Sequence, residues 1–193
     1  MRIILLMLVI MTGMVGGKVY AVEQVSEKVD TTVVAVEDQG ITTPIVVQEE
    51  IEYTLPYPGI LPDHTLYKLK ALRDAILEKL ISDPLKKMEF YVLQADKRLG
   101  MGMQLVDKEK AQLAESTISK GEKYMEKAIM LLQTQKDNGG AAPGYIADKI
   151  RRSLGKHEEL ILELLTRVGE TEKQGLEGSL EMVKTLQEKI SGY

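Results

Sequence analysis

Apolar residues recur from about residue 64 onward with the period of amphipathic α-helices. The pattern predicts four or five helices, and their short connections favour antiparallel neighbours. We therefore expect an all-α fold, an elongated antiparallel helical bundle or stacked helical hairpins. The predicted apolar faces are Leu66, Leu69, Leu72, Ile76 and Leu80; Leu85, Met88, Val92, Ala95, Leu99, Gly102 and Val106; Leu113, Thr117, Gly121, Tyr124, Ala128 and Leu131; Ile146, Ile150, Leu154, His157, Ile161, Leu164 and Val168; and Leu176, Leu180, Val183, Leu186 and Ile190.

Capping and breaking residues predict where the helices begin and end. Asp63 and Asp83 are placed to accept hydrogen bonds from the first turns of the first two helices, and Pro84 suits the first position of the second. Pro143 is predicted to open the fourth helix. Gly100 and Gly102 interrupt the second apolar face, which predicts close helix packing or a local bend there.

The first 21 residues have the pattern of a signal peptide. Arg2 precedes an apolar run over residues 3–15, and a V-Y-A sequence ends at Ala21. The run is shorter than a bilayer span requires, which favours cleavage between Ala21 and Val22 over a permanent anchor. We therefore expect an exported protein in the periplasm, the cell envelope or the extracellular space, with no integral membrane span after cleavage.

Residues 22–52 differ in composition from the rest of the chain. They hold eight acidic residues against one lysine and show no sustained apolar period, which predicts a disordered acidic linker. Their valine-rich runs leave open an edge strand that docks onto a partner. Residues 53–193, the predicted helical domain, carry 22 basic and 21 acidic residues, and this balance argues against a nucleic-acid partner.

No arrangement of residues in this sequence indicates catalysis. It has no cysteine and only two histidines, and H-E-E-L at His157 lacks the second histidine of a zinc helix. No serine lies in a G-x-S-x-G or S-x-x-K arrangement with an evident base, and no glycine pattern matches a phosphate-binding loop. We expect no enzyme activity, no cofactor and no metal site, with His64 exposed and His157 a partly buried, hydrogen-bonded core residue.

Three tyrosines, Tyr53, Tyr57 and Tyr67, cluster around the prolines that precede the first helix. One interpretation packs their rings over the end of that helix, with the hydroxyls in water. The other makes this proline and tyrosine segment a docking surface for a protein partner. Packing is the favoured interpretation, because an N-terminal segment needs anchorage to stay ordered.

Two segments, L-P-D-H-T-L-Y-K-L-K-A-L-R-D-A-I and S-D-P-L-K-K-M-E-F-Y-V-L-Q-A-D-K-R-L, lie between about residues 61 and 99. Their proline-rich entry, L-Y-x-L-K step and D-P-x-x-K step resemble an uncharacterised family of exported bacterial helical domains. The resemblance implies fold and export but no activity, because the family is a domain of unknown function. The chain departs from the family pattern at Thr65, where proline is usual, and at residues 100–102, where a Glu/Ala-rich continuation is usual.

These features together favour an exported, non-enzymatic helical domain that is a protein-interaction or envelope-associated structural module with an unknown protein partner. A periplasmic protein that binds a small ligand or metal is an alternative, and it would need a cavity lined by polar groups such as His157 and Tyr124. A chaperone-like envelope regulator is another, and it would show a sizeable exposed apolar patch or concave face.

The V-Y-A sequence predicts a mature protein that begins at Val22. N-terminal sequencing of the protein from cells tests this directly, because the signal peptide should be absent from the processed chain. An intact N-terminus on protein that stays with membranes after an alkaline carbonate wash would show an anchor instead.

Overall fold

The computed structural model describes residues 52–140 and 143–193, which form five α-helices and no strand. The predicted signal peptide, its cleavage site and the predicted linker up to residue 51 lie outside the described residues. Residues 52–66 form an irregular entry segment of extended chain and turns. The all-α prediction is confirmed. The helices are α1 (Tyr67–Leu80), α2 (Pro84–Asp107), α3 (Ala111–Asp137), α4 (Gly144–Leu165) and α5 (Glu170–Ile190).

Of the two predicted caps, one is confirmed and one is wrong. The Asp83 Oδ1 accepts a hydrogen bond from the Lys86 backbone N–H at 2.8 Å, and Pro84 is the first residue of α2. Asp63 does not cap α1, which begins four residues later after Leu66 without a side-chain cap. The Asp63 Oδ2 instead pairs with Lys110 Nζ at 2.8 Å and Lys108 Nζ at 3.3 Å, both in the connection between α2 and α3.

Helices α2 to α5 pack as two hairpins side by side, in the ring order α2, α3, α5, α4. The α2/α3 and α4/α5 pairs are antiparallel, because three-residue and four-residue connections join them. Between hairpins, α2 and α4 run parallel: Tyr145 donates to Glu89 near their starts, and Ser153 donates to Asp96 further along. The consecutive helices α3 and α4 therefore lie diagonally across the bundle.

The core between these helices is aliphatic, with methionine filling part of it. The predicted face of α2 is confirmed at its centre, where Val92, Ala95 and Leu99 have no exposed surface. The same holds for α4, where Ile150, Leu154 and Ile161 are fully buried. The two hairpins share one apolar interior, and this interior stabilises the bundle without disulfides.

Helix α1 differs from the other four, because its apolar stripe faces outward. Its one buried residue is Asp74, which is 4% exposed, whereas Leu69, Leu72 and Leu80 are 65%, 59% and 70% exposed. The expectation that the α1 stripe packs on the bundle is therefore wrong. The helix runs antiparallel to α2, because Lys70 lies against Met101 and Glu78 lies against Tyr91. Glu78 accepts from Tyr91 and Lys127 at 3.2 and 2.8 Å.

Glycine permits a close approach of α2 to α3, which is one of the two outcomes that the sequence pattern predicted around Gly102. A Cβ atom at Gly102 would lie 2.3 Å from Ile118 Cγ1, and one at Gly121 would lie 3.2 Å from the Ala95 carbonyl oxygen. The helix α2 is continuous through Gly100 and Gly102. Close packing, and not a break in the helix, therefore explains the glycine at position 102.

The contact between Gly102 and Ile118 predicts that Gly102→Ala lowers the melting temperature. Alanine favours the helix by up to about 1 kcal/mol, but forcing a methyl group into a filled core costs about 1 to 3 kcal/mol. The matched control is Gly178→Ala in α5, where a Cβ meets nothing within 4 Å. Thermal unfolding should show opposite shifts, and a higher melting temperature for Gly102→Ala would show that the core has room there.

Candidate functional site

A buried polar cluster lies where α2, α3, α4 and the entry segment meet. It consists of Tyr53 from the entry segment, Asp96 from α2, Glu122 from α3, and Ser153 and His157 from α4. Glu122, Ser153 and His157 have no exposed surface, and Asp96 is 2% exposed. Burying a charged group costs a large free energy unless the group is paired and hydrogen-bonded.

The two nitrogens of the His157 ring face carboxylates on opposite sides. Nδ1 lies 2.8 Å from Glu122 Oε1, and Nε2 lies 3.2 Å from Asp96 Oδ1. Asp96 also accepts from the Ser153 hydroxyl at 2.5 Å and, through Oδ2, from the Tyr53 hydroxyl at 2.7 Å. Because a ring nitrogen donates to a carboxylate only when it carries a proton, this geometry indicates a doubly protonated imidazolium.

The electrostatics of the cluster agree with that protonation state. Burial alone would lower the pKa of His157, but the charges and hydrogen bonds of Glu122 and Asp96 raise it to about 10. Burial and the charge of Asp96 likewise raise the pKa of the Tyr53 hydroxyl. The histidine contribution to stability is complete below its unfolded pKa near 6.5 and is lost as the pH rises through about 10.

This arrangement is suited to holding helices together, and it offers little to catalysis. Asp96 and Glu122 approach opposite edges of one imidazole ring, so the three groups do not converge on a common point. Within the described parts of the chain, no three His, Asp or Glu side chains are placed to hold a metal ion. Ser153 donates to Asp96 and not to the histidine, so the two do not form the serine–histidine pair of a nucleophilic hydroxyl.

The sequence pattern placed His157 on the apolar face of α4 but indicated neither of its two partners. The expectation of a hydrogen-bonded histidine is confirmed, although the residue is fully rather than partly buried. A signal for Glu122 was available, because it lies one helical turn from Ile118 and from Met125, both of which are buried. Asp96 lies beside the predicted apolar face of α2. The sequence pattern does not distinguish it from an exposed acidic residue.

A second feature is the outer face of α1, which we define as Leu66, Leu69, Leu72, Ile76 and Leu80. These five side chains are between 49% and 70% exposed. On a helix they fall within one apolar arc, because successive members are separated by three or four residues. The polar residues Asp74 and Glu78 occupy the opposite side, against α2 and α3.

A cleft of about 470 Å³ lies beside the outer face of α1, between that helix and the entry segment. Tyr57, Ile60 and Leu69 form part of its apolar lining, and Lys70 and Lys97 add positive charge. Partial burial, together with the nearby Arg98, Lys97 and Arg73, lowers the pKa of Lys70 to about 8 despite the opposing charge of Asp74. The cleft therefore combines an apolar wall with crowded cations.

The three tyrosines of the entry region have different environments. Tyr53 belongs to the buried polar cluster and anchors the entry segment, as the packing interpretation expects. Tyr57 is 82% exposed and lines the cleft. Tyr67 is partly exposed at the start of α1, where the Lys70 ammonium lies 5.5 Å from the centre of its ring. The structure therefore leaves Tyr57 available for a partner.

A family model described as a domain of unknown function (DUF5667) matches residues 59–191. The chain belongs to this family. The DUF5667 match covers all five helices and the second half of the entry segment, including the cleft residues from Gly59 onward. It carries no assigned activity.

No curated protein and no solved structure matches this DUF5667 chain. Among the residues that the structure describes, none of the helices combines the length and the apolar character needed to cross a membrane.

The buried polar cluster predicts that Glu122→Gln lowers the pKa of His157, because one of the two carboxylate charges that raise it is removed. NMR titration of the imidazole measures this change. Glu126→Gln, one turn further along α3, is the matched control and should leave the His157 titration unchanged. A wild-type His157 that titrates near neutral pH, or one indifferent to Glu122→Gln, would contradict the imidazolium assignment.

Proposed function

We propose that this DUF5667 domain is an exported, non-enzymatic module of the cell envelope that docks onto a partner surface through the outer face of α1. The observation that carries the proposal is the orientation of that helix, with its apolar stripe in solvent and its acids against the bundle. Export is supported by the signal-peptide pattern that ends at Ala21.

The energetics of the outer face favour an interface. Burying one leucine or isoleucine side chain contributes about 1.5 to 3 kcal/mol, and five of them lie together on the outer face of α1. Soluble monomers rarely leave a large contiguous apolar patch uncovered. In the observed orientation Glu78 lies against Tyr91 and Lys127, so the apolar side of α1 is left for another surface to cover.

A structural role for the buried polar cluster supports the non-enzymatic part of the proposal. Its histidine is enclosed by helices and holds its proton through two carboxylates, whereas a general base must reach a substrate and accept a proton. Tyr124, the other residue considered for a ligand cavity, is stacked with Arg98 at 4.2 Å in the α2/α3 interface. Neither residue supports the small-ligand alternative.

A chaperone-like envelope regulator is the second candidate, because it too requires an exposed apolar surface. The outer face of α1 is a single helix of 14 residues and not a concave surface. This shape favours one defined docking partner over varied unfolded clients.

The proposal predicts that Leu69→Gln/Leu72→Gln abolishes association with the envelope fraction while the melting temperature stays nearly unchanged. Substitution of exposed side chains changes stability by about 0.5 kcal/mol or less. The matched control is Met130→Gln/Leu162→Gln, which changes two other apolar residues that are 57% and 43% exposed. Cell fractionation and thermal unfolding are the measurements.

Two results would contradict this function. Envelope association that survives in the α1 variant would show that the outer face is not the docking surface. A melting temperature that falls strongly in the α1 variant alone would show that Leu69 and Leu72 pack within the domain.

A further inference from the structure

The charged residues of α1 are sorted by sign between its two sides. Lys68, Arg73 and Lys79 are exposed, whereas Asp74 is buried and Glu78 is held by Tyr91 and Lys127. The whole chain has a formal net charge of −4, so a cationic exposed surface does not follow from composition. A surface that complements α1 is therefore apolar and negatively charged.

The positions of these cations match an interfacial helix. At 100° per residue, Lys68 and Lys79 border the apolar arc on one side and Lys70 borders it on the other, while Arg73 lies within the arc. The α1 helix is about 21 Å long. Lysine and arginine at such borders can place their stems along an apolar phase and their charges in a polar one.

The cleft beside α1 adds cations and apolar side chains from the entry segment and α2 to this surface. Lys70, Arg73 and Lys97 line it together with Tyr57 and Ile60. Arg73 is bonded to Asp74, and the other two cations lack an ion pair within the described residues. A phosphate between these cations would relieve their mutual repulsion, and an alkyl chain would contact the apolar wall.

From this arrangement we propose that α1 docks onto an anionic lipid surface. The outer face enters the boundary between headgroups and acyl chains, Lys68 and Lys79 contact headgroup phosphates, and the cleft holds one lipid phosphate at its cations. This inference rests on the proposed function, because it names the surface onto which α1 docks.

A second copy of the chain fits the outer face less well. An α1-to-α1 contact would bring Lys68, Arg73 and Lys79 near their own counterparts, and the acids of α1 lie on the opposite side of the helix. Like charges at an interface oppose association. An anionic bilayer supplies the apolar phase and the opposite charge together.

Flotation with lipid vesicles tests the inference on the full protein as cells produce it. Binding should be strong to phosphatidylcholine mixed with phosphatidylglycerol, weak to phosphatidylcholine alone, and reduced by salt. Lys68→Gln/Lys79→Gln should weaken binding to the anionic vesicles about fivefold for each cation removed. The matched control is Lys184→Gln/Lys189→Gln, which makes the same charge change at exposed positions of α5 and should bind as the wild type.

The outcomes separate this inference from the proposed function. Wild-type protein that ignores anionic vesicles, or a Lys68→Gln/Lys79→Gln variant that binds like its control, overturns lipid docking. If Leu69→Gln/Leu72→Gln still loses envelope association, the partner is then a protein and the proposed function stands. A dimer in sedimentation equilibrium that Leu72→Gln dissociates would also overturn lipid docking, in favour of a second copy.

Discussion

A protonated histidine between two carboxylates fixes how the helices of this domain meet. His157 on α4 faces Asp96 on α2 and Glu122 on α3. Asp96 also accepts a hydrogen bond from the hydroxyl of Tyr53 in the entry segment. Removing one member of such a buried set leaves an uncompensated charge at a cost of about 3 to 5 kcal/mol. The aliphatic core supplies apolar burial without direction, whereas this cluster requires a particular register among three helices and the entry segment.

With the register set inside the two hairpins, α1 is added to a bundle that already has a closed core. Its attachments are ion pairs and hydrogen bonds such as Lys127 to Glu78, and exposed pairs of this kind contribute about 0 to 1 kcal/mol each. The helix can therefore keep its apolar side outward without competing with the packing of α2 to α5. The proposed function rests on this separation of a stabilising interior from a helix whose apolar side faces outward.

Periodicity predicted the five helices and most of the buried positions of α2, α4 and α5, because the apolar stripe of each turns toward the shared core. On α3 the predicted face was partly wrong: Leu113, Tyr124 and Leu131 are only half-buried. The buried side of α3 also includes Ile118, Met125 and Ile129, which the predicted face left out. Periodicity could not assign the orientation of α1, since an apolar stripe identifies a face but not what covers that face. The prediction that Asp63 caps α1 was wrong for a similar reason, because it used only the local sequence. The Asp63 carboxylate instead binds Lys108 and Lys110, which are 45 and 47 residues away. The helical period placed His157 on a buried face. Its pairing with Asp96 and Glu122 could not be predicted, because it requires three helices to meet.

The proposed docking depends on the outward orientation of α1, and the chain contains no cysteine that would complicate a measurement of that orientation. Single substitutions Leu72→Cys, on the outer face, and Ala71→Cys, at the adjacent, less exposed position, would be compared for their rates of maleimide labelling in the folded protein without lipid. We expect the cysteine at position 72 to react nearly as fast as in the unfolded chain and the one at position 71 to be protected. Protection at position 72 with fast labelling at position 71 would show that α1 packs with its apolar face inward, and would contradict the account.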